Sequence, residues 1–432
     1  MKKLMMTLCA VGLMFAGCNK QSGEDNPLLQ KWDTPFETAP FEKIKVEHYL
    51  PAFEAAIAEH DKEIQAIIDN AEAPTFDNTI AALDYSGETL SKVAGVFFNM
   101  MAANTSEELQ KVNEKVGPMM ATHSDNVSMN AKLFEKIKAV YDAKDSQKYT
   151  EEQLALLEKT YNKFVRSGAL LDAAKQEELR KVNAELTKVE AKFDANLLKE
   201  TKAYQLVVEK EEDLKGLPQG EIEKAAALAK QEGKEGKWIF TLDNPSFMPF
   251  VTYADNRDLR KEIFNARVNR CNNGGETDNN ALVAQMAELR AQKAQILGYE
   301  TFAHYQLEER MAKEPKAVFS LLENLLSYSV KVAKEEAAQF QAMLSKDVPG
   351  AKLEAWDMYY YAEKVRQQKY NFDAELTRPY FEINKVRQGC FDVLTKLYGI
   401  SFTERKDISV YAEDVLVFEA KNEKGEHVGI LY

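Results

Sequence analysis

The stretch DAAKQEELRKVNAELTKVEAKFDANLL, residues 172–198, decides the fold class. Its apolar side chains Leu179, Val182, Leu186, Val189, Phe193 and Leu197 return every three or four residues, with mostly charged and polar residues between them. At 3.6 residues per turn this spacing gathers the apolar groups into one stripe, which has to bury against a partner. The spacing is nearly heptad, so the stretch reads as a long helix in a bundle. Asp172, able to accept from the free amides of a first turn, marks where that helix starts.

The same period continues on both sides. Phe53, Ile57, Ile64, Ile67 and Ile68 form a stripe that runs to about Asn70. Thr150 and Gln153 have capping-box spacing ahead of Leu154, Leu157, Tyr161 and Phe164. Asp278 opens a helix through Leu282, Met286, Leu289 and Ile296 that Gly298 stops, and another runs from Ala317 to about Leu344. Strand signals are short. Residues 204–208 and 238–242 flank a helix near 221–232, and the glycines of 233–237 lack phosphate-loop spacing and read as a solvated turn. Residues 415–418 and 428–432 read as two strands across a turn at 422–425. The second would be left with an uncovered apolar end, so the reading frame is expected to continue past Tyr432.

Composition fits a globular protein: of 432 residues, 45% are apolar and 29% charged. The net charge of −13 disfavours polyanions, so no nucleic-acid partner is expected. At the N-terminus, Met1-Lys2-Lys3 precedes an apolar run from Leu4 to Ala16. As a helix it rises only ~20 Å, too short for a ~30 Å hydrocarbon core, so residues 1–17 read as a signal peptide. Phe15-Ala16-Gly17-Cys18 resembles a lipobox, which makes Cys18 the expected lipidation site and residues 18–25 a flexible tether. The predicted location is a bacterial membrane, facing the periplasm or the exterior. Cys271 and Cys390 remain; spacing alone leaves open whether they pair.

No catalytic motif is visible from chemistry alone. The histidines are His48, His60, His123, His304 and His427. None is followed by Glu and no two are four apart, which excludes the H-E-x-x-H arrangement that puts two imidazoles on one helix face. His60-Asp61-Lys62-Glu63 is followed by Ile64, so the inverted motif fails too. His304 and Glu308 are one turn apart and read as a surface hydrogen bond. There is no G-x-S-x-G elbow and no Rossmann glycine run.

Colinear stretches carry a resemblance instead. Asn26-Pro27-Leu28-Leu29, Pro40-Phe41-Glu42-Lys43-Ile44, His48-Tyr49-Leu50-Pro51-Ala52-Phe53-Glu54 and Ala73-Pro74-Thr75-Phe76-Asp77-Asn78-Thr79 open it. Phe164-Val165-Arg166-Ser167-Gly168, Leu289-Arg290-Ala291-Gln292-Lys293, Trp356-Asp357, Tyr360-Tyr361 and Arg378-Pro379-Tyr380-Phe381 continue it. Together they resemble the bacterial peptidyl-dipeptidases of the thimet oligopeptidase and neurolysin family of zinc peptidases. The resemblance implies a mainly α, two-walled helical ellipsoid with a deep cleft, cut before its zinc-binding helix. Residues 26–200 would form the N-terminal helical wall, 201–345 a mixed region, and 346–432 the start of the catalytic lobe. It also implies zinc in the full-length parent, short unstructured peptides as substrates, release of C-terminal dipeptides, and a monomer. The H-E-x-x-H helix would follow Gly429-Ile430-Leu431-Tyr432, so this chain is expected to hold no catalytic or metal residue and to be inactive alone. Trp356, Asp357, Tyr360 and Tyr361 are the residues expected near the cleft. The rival expectation is a non-catalytic, lipid-anchored helical module that binds peptides or serves as a scaffold.

Overall fold

The computed structural model describes residues 26–372 and 374–432; the expected signal peptide, the expected tether and Cys18 lie outside the described residues. The fold is mainly helical, as expected. Among the described residues, seven α-helices come first: α1 (Val46–Asp69), α2 (Ala82–Tyr85), α3 (Glu88–Ala103), α4 (Glu107–Ser128), α5 (Ala131–Asp142), α6 (Glu151–Arg166) and α7 (Ala173–Ala203). The α1 stripe divides between two cores. Phe53 packs with Val93, Phe97 and Val116 of α3 and α4, and Ile64 and Ile67 pack with Leu133, Ile137 and Leu157 of α5 and α6. Each fully buried side chain of this kind contributes ~1.5–3 kcal/mol.

The caps predicted at Thr150 and Asp172 are present, whereas the helix expected to open at Asp278 starts at Asn280 behind Asn279, which makes no side-chain cap bond. Thr150 and Gln153 bond each other's backbone amides at 3.2 and 3.0 Å, and Asp172 Oδ1 accepts from Lys175 N at 2.9 Å. In α7, Val182, Leu186 and Val189 bury against Leu289 of a later helix. Phe193 and Leu197, at the other end of the stripe, are only half-buried.

A small antiparallel pair follows, β1 (Leu206–Val208) with β2 (Trp238–Phe240), separated by α8 (Gln219–Gln231). With α9 (Asn244–Tyr253) and α10 (Arg257–Val268) it encloses a core of Leu206, Phe240, Phe250, Val251 and Ile263. Then come α11 (Asn280–Ile296), α12 (Phe302–Leu307), α13 (Pro315–Asp347), α14 (Met358–Tyr370) and α15 (Ile383–Tyr398). Gly298 at φ +84 ends α11 as its sequence foretells.

The last sheet corrects the sequence reading. It has three antiparallel strands in the order β3 (Ser401–Glu404), β4 (Phe418–Lys421), β5 (His427–Leu431). The apolar residues 415–417 lie before β4 rather than in it; Val417 is buried and its carbonyl accepts from Arg405 N. β3 was not expected, because Ser401-Phe402-Thr403-Glu404 offers only one large apolar residue and gains its ladder from a partner far along the chain.

The segment from 409 to 432 fastens to residues 36–41. Phe41 N donates to Ser409 Oγ at 2.9 Å, and Ser409 Oγ reaches Ala39 O at 3.2 Å. Phe36 stacks on His427 with ring centroids 4.0 Å apart, and Phe41 meets Tyr411 and Tyr432 edge-on. Cys271 and Cys390 are both free, the first buried and the second exposed.

Candidate functional site

The residues singled out by resemblance meet on α14 and the turn before it. Asp357 is fully buried and its side chain reaches back to cap that turn, accepting from Glu354 N at 3.1 Å. Arg257, in the first turn of α10, grips the carboxylate with Nε at 3.0 Å and Nη2 at 2.7 Å. Arg260, one turn further and 1% exposed, adds Nη2 at 3.2 Å. Two guanidiniums thus face one carboxylate in a setting where an unpaired charge is very costly. Burial pushes the Asp357 carboxyl up, but the hydrogen bonds from Arg257, the Glu354 amide and Arg260 outweigh it and hold it below the usual carboxylate range.

Tyr360 and Tyr361 complete the cluster. The Arg260 guanidinium lies 3.9 Å from the centroid of the Tyr360 ring, a cation–π contact favoured where water is excluded. Tyr360 OH donates to Asp255 Oδ1 at 2.8 Å, and burial first, then that bond, pushes the phenol well above its ordinary value. Tyr361, 2% exposed, is pushed up to about 12 by burial. Trp356 is half-buried and its indole N–H has no protein partner. Asp255 N donates to Lys215 O at 2.8 Å, next to Gly216. Gly216 sits there at φ +90, and a Cβ on it would come within 2.2 Å of Tyr253 O. The structure therefore brings Asp357, Tyr360 and Tyr361 together and adds Asp255, Arg257 and Arg260. No local sequence signal marks that second trio, because the pairing spans about a hundred residues.

Zinc chemistry needs converging histidine and carboxylate donors, and the residues present do not fit it. His48 Nδ1 accepts from Lys45 N at the start of α1. His60 and His123 bond each other at 2.8 Å. His427 faces Glu419 at 3.3 Å while stacked on Phe36. The pair read as a surface hydrogen bond does not form: His304 meets Thr301 and Glu300, whereas Glu308 turns to Arg166 and Tyr299. Among the described residues, no group of three His, Cys, Asp or Glu side chains is placed to hold a metal ion.

Two surfaces stand out. A cavity of about 650 Å³ opens between α4 and α7, lined by Met101, Gln110, Gly117, Thr187, Ala191 and Leu198 among others. Elsewhere, the first half of α13 carries Phe319, Leu321, Leu322, Leu325, Leu326 and Tyr328, each more than half exposed. Ile383, Val393, Leu397 and Tyr398 on α15 are exposed to the same degree. Apolar area on this scale marks a surface built to be covered.

Comparison with known proteins gives a consistent result. The model described as Peptidase family M3 matches residues 250–432, and that described as Neurolysin/Thimet oligopeptidase, N-terminal domain, matches residues 53–176. The chain is 34% identical over 408 residues to Dipeptidyl carboxypeptidase of Escherichia coli (strain K12), covering 94% of this chain and 60% of that protein. It is 31% identical over 414 residues to Oligopeptidase A of the same organism, again covering 94% and 60%. Thimet-like oligopeptidase of Dictyostelium discoideum is 25% identical over 387 residues, covering 86% of this chain and 56% of the relative. The chain thus spans about 60% of the length of the first two relatives. Two models matching successive segments, and relatives aligned along nearly the whole chain, place it in peptidase family M3.

Proposed function

We propose that the protein as a whole is an exported zinc metallopeptidase that releases C-terminal dipeptides from short peptides, held to a bacterial membrane by lipid on Cys18. The observation that carries this reading is the match along 94% of the chain to a protein named Dipeptidyl carboxypeptidase. The margin over Oligopeptidase A, 34% against 31% identity, favours dipeptide release over internal cleavage. In this reading the zinc ligands lie in polypeptide equivalent to the relatives' remaining length. That same polypeptide covers the bare faces of α13 and α15, whose burial would supply ~1.5–3 kcal/mol for each large apolar side chain. Trp356, Asp357, Tyr360 and Tyr361 then brace the wall beside the cleft.

The test compares this chain with the product of the reading frame continued past Tyr432. Both are given an unblocked hexapeptide, and products are identified by mass spectrometry with and without chelator. The expected result is dipeptides from the C-terminus, made by the longer form only and abolished by chelation. Internal fragments would shift the assignment to an oligopeptidase. A stop codon directly after Tyr432 in the intact gene would sink the reading. The cavity between α4 and α7 favours a second reading, a non-catalytic lipid-anchored peptide-binding or scaffold module. Saturable binding of the labelled hexapeptide to this chain without zinc, with no cleavage by the longer form, would select it. Lipidation is checked separately, by the mass of the mature N-terminal peptide in wild type and in Cys18→Ala.

A further inference from the structure

Four side chains that carry no motif meet where α1 crosses α4. Asp61 Oδ1 lies 3.2 Å from His123 Nδ1, His123 Nε2 lies 2.8 Å from His60 Nδ1, and His60 Nε2 lies 3.1 Å from Ser86 Oγ. Ser86 Oγ donates to Leu83 O at 2.7 Å. The array joins α1, α4 and the corner between α2 and α3.

Counting protons limits the array to states set by where the Ser86 hydroxyl points, the first with that hydroxyl on Leu83 O. A serine hydroxyl has one proton, and that of Ser86 goes to Leu83 O, so Ser86 Oγ accepts from His60 Nε2–H. A neutral imidazole has one N–H, so His60 Nδ1 is an acceptor and His123 Nε2 must donate to it. A carboxylate only accepts, so His123 Nδ1 must donate to Asp61 as well. One extra proton, on His123, therefore satisfies every link. A second proton would set two N–H groups against each other across 2.8 Å. Losing the extra proton is milder, because the array re-forms if the Ser86 hydroxyl turns from Leu83 O to His60 Nε2.

We propose that His60 and His123 form a one-proton latch that fastens α1 to α4 and to the α2–α3 corner, and that acid releases it by adding a second proton. The surroundings are built around the ring of His60. Gly87, at φ +75, lies so close that a Cβ would sit 3.1 Å from His60 Nδ1, so a side chain there would press on the ring. The ionisable groups facing the array are Asp61 and Glu63 on α1, Asp84 on α2, His123 on α4 and Lys163 on α6. Glu63 is engaged by Gly87 N at 2.7 Å. Burial, then His123, and less strongly Lys163, push the His60 imidazole below its ordinary value against the pull of Glu63 and Asp61. A histidine depressed in the folded state stabilises the fold above its unfolded value of ~6.5, and that contribution is lost as pH falls through the folded value. The latch is therefore an acid-side release, independent of whether the protein is a peptidase.

The experiment is imidazole NMR on the full chain labelled with ¹⁵N-histidine, assigned with His60→Gln and His123→Gln, together with hydrogen exchange corrected for intrinsic rates. Before the acid transition, His60 is expected as the Nε2–H tautomer beside a doubly protonated His123. Below the transition, exchange of the α1 and α4 amides should rise severalfold. His123→Gln removes the second cation and should move this acid response by a similar factor. His60 found as the Nδ1–H tautomer while His123 is charged, or an acid response unchanged in His123→Gln, overturns the proposal. The tautomer measurement on wild type decides the matter even if a variant fails to fold.

Discussion

Replacing Asp357 with asparagine tests the reasoning about the buried cluster most directly. Removing one partner of a buried ion pair costs ~3–5 kcal/mol, since the other charge stays buried without its counterion. Three features put Asp357→Asn near the lower bound. Asparagine keeps the shape and one acceptor oxygen. Arg257 has a side chain 30% exposed and can turn to water. Arg260 is enclosed but keeps Ala254 O at 2.7 Å, Asp255 O at 3.1 Å and the Tyr360 ring. The expected loss is ~3 kcal/mol, or roughly two powers of ten in the local opening constant. Arg257→Ala should cost less, about 1–2 kcal/mol, because Arg260 still faces Asp357. Arg260→Met placed on the asparagine background should recover part of the loss by removing the orphaned charge. Hydrogen exchange of the α10 and α14 amides, with urea unfolding alongside, reads all three. A loss below ~1 kcal/mol in Asp357→Asn, or a double variant as unstable as the sum of its singles, refutes the reasoning.

Other outcomes follow from the same geometry. Asp357 is held below its ordinary carboxyl value, so its contribution is complete above the unfolded value of ~3.9 and disappears as pH falls through the folded value; exchange in α14 should accelerate there in wild type and stay flat in Asp357→Asn. Gly216→Ala should cost more than the ~1–2 kcal/mol of a left-handed alanine, because its Cβ also meets the Tyr253 carbonyl, and thermal unfolding measures it. Thr150→Ala should lower stability by about 0.5–2 kcal/mol and fray the start of α6. Thiol titration should find Cys390 reacting at once, with Cys271 slow until urea is added, since burial and then Glu200 push its thiol up to about 11.

Helices, caps and the family were legible because each is written locally or colinearly. The stripe from Leu179 to Val189, the Thr150–Gln153 box and the stop at Gly298 all follow from periods and spacings within a few residues. The pairing of residues 204–208 with 238–242 was half legible: both strands could be read, but not their register. β3 escaped because its four residues have no periodic signal and gain their ladder only from β4.

The sites show where local reading ends. Trp356, Asp357, Tyr360 and Tyr361 were singled out by resemblance, but nothing near them names Arg257 or Arg260 as partners of Asp357. His60 and His123 each fail every histidine motif, and only the crossing of α1 with α4 brings them to 2.8 Å. The sequence by itself determined that this chain is helical and an M3 relative, since period, capping chemistry and motif order survive without a third dimension. The tertiary structure alone decided which charges share a buried space, which histidines share a proton and which apolar faces stay bare. Those properties depend on distances between residues far apart in the chain, and no short-range pattern encodes them.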